Sequence, residues 1–211
     1  MSAFSKISTY IAAACFCLVG FGAGVPAAEA DASLVDFLRE YLGIKYRDVT
    51  FDRFIYVAAK RQRLYLIDGD EIVKSYPVST AKKGIGNKSG TFQTPQGLHI
   101  IAEKVGGDLE SMSIIKNKMP TGSKANVVSE PRSTDRDLIT SRILHLRGLE
   151  NNINAGEGCD SYSRGIFIHG THEEGLIGTP ASKGCVRMSN ADVMDLFDRA
   201  EVGIFVVILN N

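Results

Sequence analysis

From Phe54 to Leu209 the apolar residues fall in short runs bounded by turn residues, and helical spacing is confined to one stretch there and one before it. Phe54–Ala59 and Leu64–Ile67 are apolar, β-branched or aromatic, and Asp68-Gly69 then marks a hairpin into Ile72, Val73, Tyr76 and Val78. Leu98–Ala102, Ile143–Leu146, Gly165–Ile168 and Ile204–Leu209 are further strand candidates. Helices are expected at Ser33–Leu42, with Ser33 and Asp36 as a capping box and Gly43 as its end, and after Asn190, read as a cap. Such a pattern builds a mainly β domain with few short helices. Gly106–Asp137 is long and polar, which marks a lid or binding segment, or elements without a sequence signal.

Three segments follow. Residues 1–30 open with one lysine, continue in a charge-free apolar stretch from Ile7 to Val25, and end in Val25-Pro26-Ala27-Ala28-Glu29-Ala30. This is the pattern of a secretory signal peptide cut after Ala28 or Ala30, and it predicts export to a periplasmic or wall-facing location. Gly20, Gly22 and Gly24 argue against an uncleaved membrane anchor. Residues 31–52 form a short helical segment and residues 53–211 the main domain. The 24 basic and 24 acidic residues cancel, which argues against a nucleic-acid binder held by charge. Cleavage after Ala30 removes one charge of each sign, Lys6 and Glu29, and two of the four cysteines, Cys15 and Cys17. Cys159 and Cys185 remain, too few for a disulfide scaffold.

The chemistry concentrates in Ile168-His169-Gly170-Thr171-His172 and, after a spacer, Ser182-Lys183-Gly184-Cys185-Val186-Arg187-Met188. A free thiol of pKa about 8.5 is mostly protonated at neutral pH, so a nucleophilic cysteine needs a partner. His169, at the end of a strand, can hold the Cys185 thiolate as an ion pair and later protonate a leaving amine. Backbone amides at Gly184 and Cys185 can form an oxyanion hole, and Arg187 can bind a substrate carboxylate. Other readings of these residues are weaker. Cys159, His169, His172 and Cys185 lack regular zinc-site spacing, and a Cys159–Cys185 disulfide would block the nucleophile. Gly84–Ser89 lacks the glycine-lysine step of a phosphate loop, so no nucleotide is expected; a substrate-facing loop fits better. His99 and His145 fit half-buried strand positions.

The His-Gly pair followed by Ser-Lys-Gly-Cys-Val-Arg-Met resembles the L,D-transpeptidases with a YkuD-type catalytic domain. Arg63-Leu64-Tyr65-Leu66, Tyr76-Pro77-Val78-Ser79-Thr80, Gly84-Ile85-Gly86-Asn87 and Thr94-Pro95-Gln96-Gly97 extend the resemblance over about Phe54–Leu209. It implies a β-sandwich or barrel-like catalytic domain and a cell-wall enzyme of peptidoglycan remodelling, concerned with wall biogenesis and cell shape. The cysteine would attack the L-centre of the third residue of a tetrapeptide stem and release D-Ala. The acyl group would pass to an amine, giving a 3→3 cross-link. Cys185 would be the nucleophile and His169 the acid/base, with Gly170 orienting His169, Ser182 and Gly184 supporting the loop and oxyanion, and Arg187 shaping the substrate site. No cofactor and no metal are implied. The partners are peptidoglycan stem peptides, with a lipoprotein or other amine as a further acceptor. An L,D-carboxypeptidase, a protein-attaching variant and a non-catalytic exported wall-binding protein are the alternatives. Lys183 stands where many members carry His, and neither His172 nor Cys159 has an assigned role.

Overall fold

The structure is a computed structural model that describes residues 27–134 and 136–211. Apart from Ala27–Ala30, the expected signal peptide lies outside the described residues. The described chain is mainly β, as expected. Its strands are β1 (Arg53–Ala58), β2 (Arg63–Asp68), β3 (Glu71–Pro77), β4 (Gly97–Val105), β5 (Ser113–Lys116), β6 (Met119–Lys124), β7 (Ile139–Gly148), β8 (Phe167–Thr171), β9 (Val186–Met188) and β10 (Phe205–Leu209). Two helices, α1 (Ala27–Lys45) and α2 (Asn190–Arg199), accompany them.

All ten strands form one mixed sheet. Its path runs β3-β2-β1-β10-β4-β7-β5-β6, while β8 pairs with the other edge of β7 and β9 pairs parallel with β8. The chain just past β3 then meets β9: Ser79 N–H donates to Arg187 O at 2.8 Å, and Arg187 N–H to Ser79 O at 2.9 Å. That bridge gives the sheet a barrel-like closure and presses the first meander against the strand that follows Cys185.

The continuous apolar run of β1 has a plain cause: both of its faces are buried. Ile55 and Val57 join Leu64, Leu66, Leu144, Ile168 and Val186 in an inner core, whereas Phe54, Tyr56 and Ala58 form a second core with Leu34, Val35, Leu38 and Leu42 of α1. Each such side chain contributes about 1.5–3 kcal/mol when fully buried, so α1 is an integral layer of the domain.

Two expectations need correction, and a third resolves into one of its alternatives. The first helix begins at Ala27 and runs through Gly43 to Lys45, so Ser33 is interior and caps nothing. Ala27-Ala28-Glu29-Ala30 are strong helix formers and extend it backwards. The buried Leu42 fixes its far end, accepting a hydrogen bond from Tyr46 N at 2.8 Å. The cap of α2 is Ser189, whose hydroxyl accepts from Asp192 N at 3.1 Å, which frees the Asn190 side chain for another purpose. The polar segment Gly106–Asp137 contains the β5–β6 hairpin. It has no alternation because β6 is exposed throughout. Its turn carries positive φ at Asn117 (52°) and Lys118 (63°), a hairpin geometry for which Asn117 was the only local cue.

Candidate active site

Ile168 and Val186, paired across β8 and β9, point into the inner core. Side chains alternate along strands, so Phe167 and His169 of β8 and Cys185 and Arg187 at β9 take the opposite face together. The register sets His169 directly beside Arg187. Cys185 sits one step before β9, where its Sγ accepts from Phe167 N–H at 3.4 Å and its thiol donates to Gly165 O at 3.4 Å. His169 and Cys185 line one cleft of about 90 Å3, together with Asp137, Ser182 and Arg187.

Gly170 O lies 2.8 Å from His169 Nδ1. A carbonyl oxygen only accepts, so Nδ1 carries the proton and Nε2 keeps its lone pair. Burial pushes the imidazole down to about 4, with the Arg187 charge acting in the same direction. Burial likewise pushes the Cys185 thiol up to about 11, against the pull of the Phe167 amide. Both shifts favour a neutral imidazole and a protonated thiol over the ion pair expected from the residue types alone.

The 182–184 turn is built on Ser182. Its hydroxyl donates to Cys185 O at 2.5 Å and accepts from Gly184 N at 3.2 Å. Gly184 has φ +132°, which a side chain would strain. The Gly184 amide, expected as an oxyanion donor, thus has the Ser182 hydroxyl as its partner. Gly170 is required for another reason: a Cβ there would stand 2.6 Å from Thr140 O and 3.0 Å from Asn190 Oδ1.

Arg187 also departs from expectation. Its side chain is only 4% exposed; Nη1 donates to Glu173 Oε2 at 2.9 Å and Nη2 to Asp137 Oδ1. Both arms of the guanidinium are occupied by carboxylates of the protein, so it is not free for a substrate carboxylate. Glu173 in turn accepts from Thr134 N and from Ser133 Oγ at 3.3 Å. His172, which had no expected role, joins the same strap: its Nε2 lies 2.9 Å from Thr134 Oγ1, and its carbonyl accepts from Val128 N at 2.8 Å. Arg187 thereby anchors Asp137 and, through Glu173, Ser133 and Thr134 beside the thiol.

Sequence reasoning missed four supporting residues. Asp137 and Glu173 lie 48 and 12 positions from Cys185, with no motif to mark them. The Asn190 amide bridges elements: Oδ1 accepts from Thr140 and Ser141 hydroxyls at 2.7 and 2.5 Å, and Nδ2 donates to Thr171 O at 2.8 Å. Arg164 donates to Asn87 O at 2.8 Å and Gln93 O at 2.7 Å, which binds the Gly84–Ser89 loop to the same side of the barrel. Cys159 is buried, donates to Ala155 O at 3.2 Å and is a free thiol, as is Cys185.

A family model described as the L,D-transpeptidase catalytic domain, YkuD, matches residues 52–208. The chain belongs to that family. Its folded domain therefore carries an L,D-transpeptidase catalytic domain, spanning β1 to β10. Similar solved structures include an L,D-transpeptidase from Mycobacterium smegmatis, at 16% identity and TM-score 0.46 over 75% of this chain and 58% of that one. The L,D-transpeptidase from Xylanimonas cellulosilytica matches at 17% identity and TM-score 0.48 over 81% and 68%. L,D-transpeptidase 3 from Mycobacterium tuberculosis, solved with a faropenem-derived adduct, matches at 14% and TM-score 0.47 over 75% and 60%. The chain thus spans less than two thirds of the first and third of these. No curated protein matches it.

Proposed function

We propose that the protein is a cysteine-dependent L,D-transpeptidase of peptidoglycan, exported by residues 1–30, with 31–52 as a helical segment packed on the catalytic domain 53–211. The observation that carries this is the shared cleft: Cys185 and His169 reach it from neighbouring strands, and His169 keeps Nε2 free as a base.

Cys185 is the nucleophile. A resting pair of neutral groups calls for proton transfer during attack rather than before it. As Sγ bonds to the carbonyl carbon at the L-centre of the third stem residue, its proton passes to His169 Nε2 and the carbonyl electrons move to oxygen. Collapse of this intermediate breaks the C–N bond, and the leaving D-Ala amine takes the proton from Nε2. With the Gly184 amide engaged by Ser182, the oxyanion role falls to the amide of Cys185. Gly170 and Ser182 hold the base and the nucleophile in place, and Arg187 acts through Asp137 and Glu173 as a positioning residue.

The test is incubation with disaccharide-tetrapeptide and mass analysis of the products. Cross-linked dimer that has lost one D-Ala is expected, and Cys185→Ala is expected to abolish it while the fold survives. Tripeptide alone would redefine the enzyme as an L,D-carboxypeptidase. No product and no carbapenem adduct on Cys185 would make the chain a non-catalytic wall-binding protein.

A further inference from the structure

A groove of about 580 Å3 runs beneath the β5–β6 hairpin, lined in part by Ile114, Lys116, Thr121 and Arg136. Asp137 and Ile139 line both this groove and the small cleft that holds Cys185 and His169. Asp137 therefore stands on the border between the larger space and the cleft of Cys185. Its bond to Arg187 uses Oδ1 alone, and no hydrogen bond to Oδ2 exists among the described residues. The other carboxylate of that ion-pair cluster, Glu173, is 1% exposed and cannot meet a ligand. Farther along the groove, neither Lys116 nor Arg136 pairs with a carboxylate among the described residues, and both are exposed. One half-free carboxylate nearest the thiol, with two cations behind it, complements a zwitterion that enters ammonium first.

We propose that this groove is the acyl-acceptor site, that Asp137 Oδ2 holds the incoming ammonium, and that Lys116 and Arg136 select amines that carry an adjacent carboxylate. The inference rests on the thioacyl reaction proposed above and assigns the residues of this chain that read the acceptor's ammonium and its adjacent carboxylate against a plain alkylamine or water. In the resolving step the acceptor nitrogen bonds to the thioester carbon and the C–S bond breaks. The ammonium loses two protons overall: one returns to Sγ through His169 Nε2, and the other leaves to solvent. Water, uncharged, gains nothing from Asp137, so the carboxylate biases the intermediate toward transfer.

The experiment supplies disaccharide-tetrapeptide as donor, with deuterated D-alanine and ethylamine as competing acceptors. Ethylamine is alanine without its carboxylate. Mass spectrometry reads heavy tetrapeptide, ethylamide and hydrolysed tripeptide from one mixture. In Lys116→Ala/Arg136→Ala, the D-alanine to ethylamine product ratio is expected to fall about tenfold from that of the unsubstituted protein. In Asp137→Asn, which keeps an Oδ1 acceptor for Arg187, transfer to both amines relative to hydrolysis is expected to fall about tenfold. Asp137→Glu, which restores the charge, should recover part of that loss. Ratios within about twofold of the unsubstituted protein in either variant would overturn the assignment. Carbapenem acylation of Cys185 needs no acceptor, so it separates a collapsed site from one that has lost its acceptor. If the unsubstituted protein neither releases D-Ala nor takes a carbapenem, the reaction itself fails. If it releases D-Ala but fails the two ratio tests, only the acceptor site does.

Discussion

Arg187 lies beside His169 across the parallel β8–β9 pair, yet its guanidinium reaches away to Glu173 and Asp137. The proximity still matters to the imidazole, because a fixed positive charge next to a buried ring disfavours a second one. The motif arginine thus adds to the burial that holds His169 down and ties the strap to the wall of the cleft.

Removing one member of that buried cluster should be costly. Glu173→Gln leaves the Arg187 charge with a single carboxylate partner and is expected to destabilise the fold by about 3–5 kcal/mol. Asp137→Asn should cost less, because the Asp137 side chain is 31% exposed and water can replace part of its bond. Urea denaturation of both variants checks the order. A loss below about 1 kcal/mol for Glu173→Gln would show that the ion pair is not what holds the strap.

Gly170→Ala tests how His169 is positioned. The new Cβ must displace Thr140 O or the Asn190 amide, since it would stand 2.6 and 3.0 Å from them. A shift of about 1 Å in the base should lower turnover by roughly a hundredfold. Single-turnover D-Ala release measures this, and turnover near that of the unsubstituted protein would refute it.

Stability should decline with acid earlier than carboxylates alone would cause. His99 and His169 are both held near 4 by burial, well below the ordinary 6.5. Between those values the unfolded chain binds protons that the folded chain does not, so stability falls as pH drops through that window. The loss approaches about 1.4 kcal/mol per pH unit for each histidine. Burial lowers His145 and His172 in the same sense. Glu173 and Glu150 are held below the usual carboxylate range, so their contribution is present above it and is lost at still lower pH. Urea midpoints measured from pH 7 to pH 4 should slope downward from about pH 6.5. A flat profile to pH 5 would contradict the burial of these rings.

The thiol should be slow to alkylate without substrate. With Cys185 pushed up to about 11, iodoacetamide labelling of the free enzyme should climb between pH 9 and 11 and be weak at neutrality. Peptide mass mapping distinguishes Cys185 from Cys159. Rapid labelling at pH 7 would indicate a preformed thiolate and overturn the concerted proton transfer proposed above.

Much of the framework was legible before any tertiary contact was known. β1, β2 and β10 announce themselves because strands buried on both faces read as unbroken apolar runs. That His169 and Cys185 share a cleft could be anticipated from residue type and order, because a thiol proposed as nucleophile restricts its partner. The β5–β6 hairpin could not, since an exposed ribbon needs no hydrophobic period.

The sequence by itself determined the buried strands and the motif that carries Cys185 and His169, the proposed nucleophile and base. Tertiary structure decided their state. It brought Asp137 and Glu173 onto Arg187, turned the Gly184 amide toward Ser182, and set Cys185 and His169 in surroundings that favour their neutral forms. The physical reason is range. Hydrophobic runs and motif spacing act between neighbours along the chain, whereas desolvation and ion pairing depend on which distant segments close over a site. Whether a charge survives in this cleft was therefore settled by the wall of the barrel and the strap packed against it.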